Sequence, residues 1–234
     1  MLHHEISGNG KKPLVLLHGF MENTTIWNEM EAHLSKDFTL IKIDLPGHGK
    51  SKVYQEIHTV ELMAEKVKEV IDALKLEKIN LLGHSLGGYV SLAFAEKFPE
   101  ILESMTLFFS TTVADDEEKK AIRKRSIAVI DENFETFVKT SIPNLFSNNE
   151  KDILEGKIEL AKNIAKSTHK EGVKAAQLGM AERPDRTEIL ENLDAKILII
   201  AGKYDNAVKT ENLLKTIPEK TNIKTYVLDC GHNG

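Results

Sequence analysis

With 234 residues, 41% of them hydrophobic, the chain can bury one sizeable core and needs no second domain to account for its length. A formal net charge of −5 and an isoelectric point near 6.0 leave no basic stripe for nucleic acid, and no apolar run approaches the ~20 residues that span a bilayer. A single cysteine, Cys230, excludes an internal disulfide and fits a reducing compartment, and Met1 to Glu5 carry no secretory signal, so a cytoplasmic protein is expected.

In chain order, Ile6 and its neighbours suggest an edge strand, and Leu14–Leu17 form an apolar strand ending in the turn His18-Gly19-Phe20. Trp27, the only tryptophan, falls in the helix expected after that turn, where packing is its default role. A second run, Leu40–Ile43, closes in Asp44-Leu45-Pro46-Gly47-His48-Gly49, a tight turn in which Asp44 and His48 read as structural. Val60, Met63, Ala64, Val67, Val70, Ile71 and Leu74 recur at three- and four-residue spacing and predict an amphipathic helix over 60–74. Further strands are expected at Ile79–Leu82, Met105–Phe109, Ile197–Ala201 and Tyr226–Leu228, with a helix from about Gly88 and another over 210–217. Apolar strands alternating with helical patterns are the signature of a parallel sheet.

The most informative stretch is Gly83-His84-Ser85-Leu86-Gly87, set between a strand and a helix. A serine on so sharp a turn needs small neighbours two positions to either side, because the adjoining chains approach closely, and it presents its hydroxyl as a nucleophile. Ser85 is therefore the candidate nucleophile. Its partners must lie elsewhere. Asp205 follows the strand Ile197–Ala201 and Gly202, where an acid on a strand-end loop can orient a base; Asp194 and Asp185 are weaker alternatives. Of nine histidines, His18, His48 and His84 sit in glycine-rich turns and His3, His4, His33, His58 and His169 lack a strand-end setting. His232 alone follows the acid and is the expected general base. The turn at His18-Gly19-Phe20 suits a loop that offers a backbone N–H to an oxyanion, with the Phe20 and Leu86 amides as the two expected donors. Cys230 reads as a small apolar packer on the last strand.

Between Phe109 and Lys196 lies a stretch of roughly ninety residues, too long for a plain connection. It reads as several helices, with Ile122, Ile127 and Val129-Ile130 near one side of the first and Asp115 to Lys120 and Arg123 to Arg125 as a solvated face. Phe134, Phe137, Val138, Ile142, Leu145 and Phe146 follow, and such a segment would roof a pocket over Ser85.

Through His18-Gly19-Phe20, the Asp44-to-Ser51 motif, Gly83-His84-Ser85-Leu86-Gly87-Gly88, Gly202-Lys203-Tyr204-Asp205 and Gly231-His232, the chain resembles the α/β-hydrolase family over nearly its whole length. The resemblance implies an α/β-hydrolase fold: a mostly parallel sheet flanked by helices, with a helical cap inserted after the sixth strand. It implies a core of residues 1–111 and 187–234 and a cap of residues 112–186. Serine at the elbow sets the chain apart from members resembling haloalkane dehalogenases or epoxide hydrolases, which carry aspartate there. Similar enzymes continue beyond the histidine into a final helix, so with only Asn233 and Gly234 after His232 the chain is expected to be truncated.

The expected activity is hydrolysis of a small to medium apolar carboxylic ester by a Ser85–Asp205–His232 triad with an oxyanion hole, needing no metal or organic cofactor. The expected partners are a small-molecule ester and, at most, a second copy of the chain: monomer or homodimer, with no nucleic acid and no membrane. The alternatives are a carbon–carbon bond hydrolase or a pyruvate-eliminating lyase resembling that of the menaquinone pathway, with Arg123, Arg125, Arg183 or Arg186 anchoring a carboxylate, and a low-turnover ligand sensor.

Overall fold

The computed structural model describes residues 1–233. Seven strands, β1 (His4–Ser7), β2 (Lys12–Leu17), β3 (Phe38–Ile43), β4 (Ile79–His84), β5 (Leu102–Phe108), β6 (Lys196–Gly202) and β7 (Ile223–Leu228), form one sheet in the order β1-β3-β2-β4-β5-β6-β7. β1 runs antiparallel to β3 and every other pairing is parallel. The loops that leave the C-terminal ends of β2, β4, β5 and β6 therefore open on one side of the molecule.

Both faces of the sheet centre are covered, which is why β2 reads as a continuous apolar run rather than an alternating one. Val15 and Leu17 point into the larger cluster, with Leu81, Met105 and the helices α2 (Val60–Ala73) and α3 (Leu86–Lys97). Leu14 and Leu16 point the other way, onto Trp27, Leu40 and Leu82, beside α1 (Asn28–Leu34). The spacing-predicted stripe of α2 is buried from Val60 to Ile71, each large side chain contributing about 1.5–3 kcal/mol, and the Thr59 hydroxyl accepts the Leu62 N–H at 3.1 Å to cap the helix. α3 lies at the centre of this layer and is buried on all sides from Leu86 to Ala95.

Several boundaries differ from expectation for identifiable reasons. β5 starts at Leu102 and stops at Phe108, because Phe109 turns to φ 49° while its amide still bonds the Ile200 carbonyl. α3 starts at Leu86, since Ser85 itself makes the whole turn from strand to helix. α8 (Thr210–Leu214) ends three residues early. Cys230 is half-buried in a bend after β7, not on a strand.

Four helices fill the segment between β5 and β6: α4 (Glu117–Ser141), α5 (Glu155–Ser167), α6 (Lys170–Glu182) and α7 (Thr187–Asn192). Five strands precede that segment along this chain, not six, because the sequence ahead of β2 supplies only the short antiparallel β1. Ile130, Phe137, Val138, Ile142, Phe146, Ile158 and Val173 pack there into a separate apolar cluster that reaches Met21. The expected stripe on its first helix is only half right: Ile130 is buried and Ile127 partly so, but Ile122 and Val129 are exposed. A kink explains this. Asn133 leaves helical geometry (φ −155°, ψ 88°) and its side chain accepts the Thr136 N–H, starting a new helix whose faces are out of phase with the first. Among the described residues, no helix is long and apolar enough to cross a membrane.

Candidate active site

Ser85 occupies φ 49°, ψ −111°, a conformation that costs a non-glycine residue of order 1–3 kcal/mol and persists only where its surroundings enforce it. They do so here. The Ser85 amide donates to the Phe108 carbonyl at 2.9 Å, and the Ser110 hydroxyl donates to the Ser85 carbonyl at 2.8 Å. A Cβ on Gly83 would stand 2.2 Å from the Gly87 carbonyl oxygen, and one on Gly87 would stand 2.3 Å from that of Leu17, so the elbow closes only around glycine.

The structure brings Ser85, His232 and Asp205 together from three separate strand ends. His232 Nδ1–H donates to Asp205 Oδ2 at 2.7 Å, which leaves Nε2 to accept the Ser85 hydroxyl at 2.8 Å. Both the imidazole and the carboxylate are buried, at 3% and 1% side-chain exposure, so their interaction is little screened by water. The second Asp205 oxygen accepts the amides of Ala207 and Val208 at 2.7 and 2.8 Å, which fixes the carboxylate plane. The alternative acids lie elsewhere: Asp194 is exposed, and Asp185 accepts the amides of Ala114 and Thr187.

The segment after β5 also holds the histidine. The Leu145 carbonyl accepts the amides of both His232 and Asn233, at 2.8 and 3.1 Å, and Glu150 Oε2 accepts the Gly231 amide at 2.9 Å.

Phe20 borders a cavity of about 110 Å³ that contains Ser85 and His232, and Leu86 is the first residue of α3. Among the described residues neither the Phe20 N–H nor the Leu86 N–H finds an acceptor, so both are free to receive a ligand oxygen. A larger cavity of about 610 Å³ touches His84 and His232 but not Ser85. The smaller space touches the nucleophile, and its apolar lining includes Phe20, Tyr89, Leu145, Met180 and Ala207.

Of the four arginines considered as anchors, only Arg123 borders that cavity. It reaches Asp115 at 2.5 Å and Gln177 at 3.1 Å, and Asp115 is fully buried rather than on a solvated face. Arg183 pairs ionically with Asp115 and stacks on Tyr89, Arg186 is clamped by Glu61 and Glu96, and Arg125 is exposed. Asp44 behaves as expected of a structural residue, its carboxylate accepting the Thr24 and Lys50 amides. His48 is buried nearby, and burial, with His18 beside it, pushes its imidazole down to about 3.

Two residues that the sequence reading did not single out complete the site. Glu22 and His84 form a buried pair, His84 Nδ1 to Glu22 Oε2 at 2.8 Å, beside His232. Burial alone would raise the Glu22 carboxyl, yet the adjoining His84 brings it down to about 2; burial would lower His84, yet Glu22 holds it above its ordinary value. Each His84 ring nitrogen faces an acceptor, Nδ1 the Glu22 carboxylate at 2.8 Å and Nε2 the His232 carbonyl at 3.4 Å, an arrangement that suits an imidazolium paired with a carboxylate. A glutamate three residues beyond Gly19 and a histidine one before the nucleophile were the available signals, but nothing in the sequence links positions 62 residues apart.

A family model described as alpha/beta hydrolase fold matches residues 12–234. A thermophilic esterase from Thermogutta terrifontis superposes with a TM-score of 0.91 at 34% identity, over 99% of this chain and 86% of that one. The 2-hydroxy-6-oxononadienedioate/2-hydroxy-6-oxononatrienedioate hydrolase of Escherichia coli is 27% identical over 99% of this chain and 84% of its own. MenH from S. aureus shares the fold, with a TM-score of 0.86 at 21% identity, over 100% of this chain and 91% of that one. Uncharacterized Mycobacterium proteins match at 35% identity over 47% of this chain, and the matched part spans about a third (32%) of their length.

Proposed function

Because the chain belongs to the α/β-hydrolase family, we propose that it is a serine hydrolase that cleaves a small to medium apolar carboxylic ester through an acyl-enzyme intermediate. The observation that carries this reading is the continuous hydrogen-bonded line Asp205–His232–Ser85 beside a small cavity whose wall mixes Phe20, Leu145 and Met180 with polar side chains. His232 Nε2 takes the Ser85 proton as Oγ attacks the ester carbonyl, and Asp205 stabilises the imidazolium that forms. The Phe20 and Leu86 amides hold the oxyanion of the tetrahedral intermediate, an interaction in which one donor is typically worth about 10²–10³ in rate. Collapse expels the alcohol, which takes its proton from His232. Water, deprotonated by the same imidazole, then attacks the acyl-enzyme and releases the acid.

In this reading residues 112–186 are the cap and residues 1–111 and 187–234 the core, with the cap roofing Ser85 against water. The test is hydrolysis of p-nitrophenyl esters from acetate to laurate, with Ser85→Ala alongside. Serine-dependent turnover that peaks at short to medium acyl chains is expected; equal turnover by Ser85→Ala would refute the assignment.

A second reading is favoured by one observation. Arg123, whose guanidinium also holds Asp115 and Gln177, borders the Ser85 cavity, and a cation there suits a substrate with a carboxylate and hence carbon–carbon hydrolysis or pyruvate elimination by the same three residues. Silence across the ester series together with turnover of a carboxylated substrate would establish it.

A further inference from the structure

We propose that Glu22 and His84 are positioning residues that hold the Phe20 amide and the His232 loop in register with Ser85, and that the charge of His84 shields the oxyanion from the charge of Glu22. The inference rests on the hydrolase reading above.

One carboxylate and one imidazole join the three segments that converge on the site. Glu22 Oε2 accepts the Gly19 amide at 2.6 Å, in the turn that ends β2 and carries Phe20. The same oxygen receives His84, the residue next to Ser85, and Glu22 Oε1 receives the Asn233 side chain at 3.2 Å. His84 Nε2 reaches the His232 carbonyl at 3.4 Å, and the two rings lie 5.3 Å apart. Met21 holds φ 59° between Phe20 and Glu22, a conformation that persists only where its surroundings enforce it, and the Glu22 carboxylate on the Gly19 amide is one such restraint. Glu22 and His84 also both border the Ser85 cavity.

A carboxylate one peptide unit away from an oxyanion donor opposes the reaction, because its field disfavours the developing negative charge. The imidazolium of His84 cancels that field. The arrangement thus supplies a strong acceptor for the Gly19 amide while leaving the cavity floor close to neutral.

This predicts an asymmetry that plain packing does not. His84→Asn keeps a donor toward Glu22 but removes the compensating charge, and is expected to lower kcat for p-nitrophenyl acetate by ~10²-fold with KM changed by less than about twofold. Affinity for phenylboronic acid, which mimics the tetrahedral intermediate, should weaken in parallel. Glu22→Ala, which unpins the turn, is expected to lose ~10²-fold in kcat. Where it fails to fold, Glu22→Gln, with an oxygen left for the Gly19 amide, is expected to lose about tenfold. The double variant Glu22→Gln/His84→Asn should recover at least about tenfold over His84→Asn alone, because both charges are gone.

Singly substituted proteins that melt like wild type and keep kcat within about threefold would overturn the proposal, as would a double variant slower than His84→Asn. A wild-type protein whose Ser85 does not react with a fluorophosphonate would sink the hydrolase reading and this inference together. Normal wild-type labelling with indifferent variants would sink the inference alone.

Discussion

Ser85 and His232 are separated by 147 positions in the chain, yet the hydroxyl of one lies 2.8 Å from Nε2 of the other. The sheet order accounts for the meeting. β4 is central and β6 and β7 lie to one side, so the loops after β4, β6 and β7 emerge in sequence around one opening.

The backbone conformation of Ser85 is held against its preference, and glycine is the one residue that adopts it freely. Ser85→Gly should therefore melt a few degrees above Ser85→Ala, reflecting relief of roughly 1–3 kcal/mol, while both lose turnover by on the order of 10⁴-fold or more. Calorimetry of the two variants side by side checks this, since both lack the same hydroxyl.

Asp205→Asn would turn an amide N–H toward His232 Nδ1 or remove the charge that stabilises the imidazolium. Nδ1 would then be left as the acceptor, Nε2 would carry the proton and the Ser85 hydroxyl would have no base. A loss of ~10⁴-fold in kcat is expected with little change in KM, measured on the best ester of the series.

Gly87→Ala and Gly156→Ala should move stability in opposite directions. The first drives a methyl group to 2.3 Å from the Leu17 carbonyl oxygen and should cost about 3 kcal/mol or more. The second adds a methyl group to α5 with nothing within 4 Å, and should stabilise by about 0.5–1 kcal/mol through helix propensity. Urea titration of each against wild type is the check.

The Glu22–His84 pair sets a pH window. Glu22 sits at about 2 against an ordinary 4.5, so its stabilisation is complete above pH 4.5 and is lost as pH falls toward 2. His84 is raised above 6.5, so its contribution is complete below pH 6.5 and fades as pH climbs through its folded value. These are two views of one contact, worth on the order of 3 kcal/mol, and it is fully present between pH 4.5 and 6.5. Melting temperatures of Glu22→Gln should fall less steeply below pH 4.5 than those of wild type; an unchanged acid limb would contradict the assignment.

Arg123→Gln should separate the two substrate classes. Loss of a charge-assisted hydrogen bond costs about 1.5–3 kcal/mol, or roughly 10–10²-fold in kcat/KM, for aryl hemisuccinates, while aryl butyrates change by less than about threefold. Equal effects on both would remove Arg123 from substrate selection.

Much of this arrangement could be read from local pattern. Strands ended where glycine followed an apolar run, and that rule marked Ser85, Asp205 and His232 because each sits just past a strand end. The helix over Val60–Ala73 was equally plain, its one apolar stripe facing one layer. What escaped was long-range or broke the period. Asn133 resets the helical phase within α4, so Ile122 and Val129 could not be placed from spacing. Asp115 looked solvated because acidic residues follow it, yet it is buried between Arg123, eight positions on, and Arg183 from the far end of the helical segment. Glu22 and His84 acquire meaning only once the turn after β2 meets the end of β4.

The carbonyl of Leu145 receives both His232 and Asn233, and Glu150 receives Gly231. The helical segment is thus no interchangeable accessory. Transplanting it from a relative to widen substrate range would unseat the imidazole, so graft boundaries must leave Leu145 to Glu150 with the recipient, and specificity is best redesigned on α6 and the first half of α4.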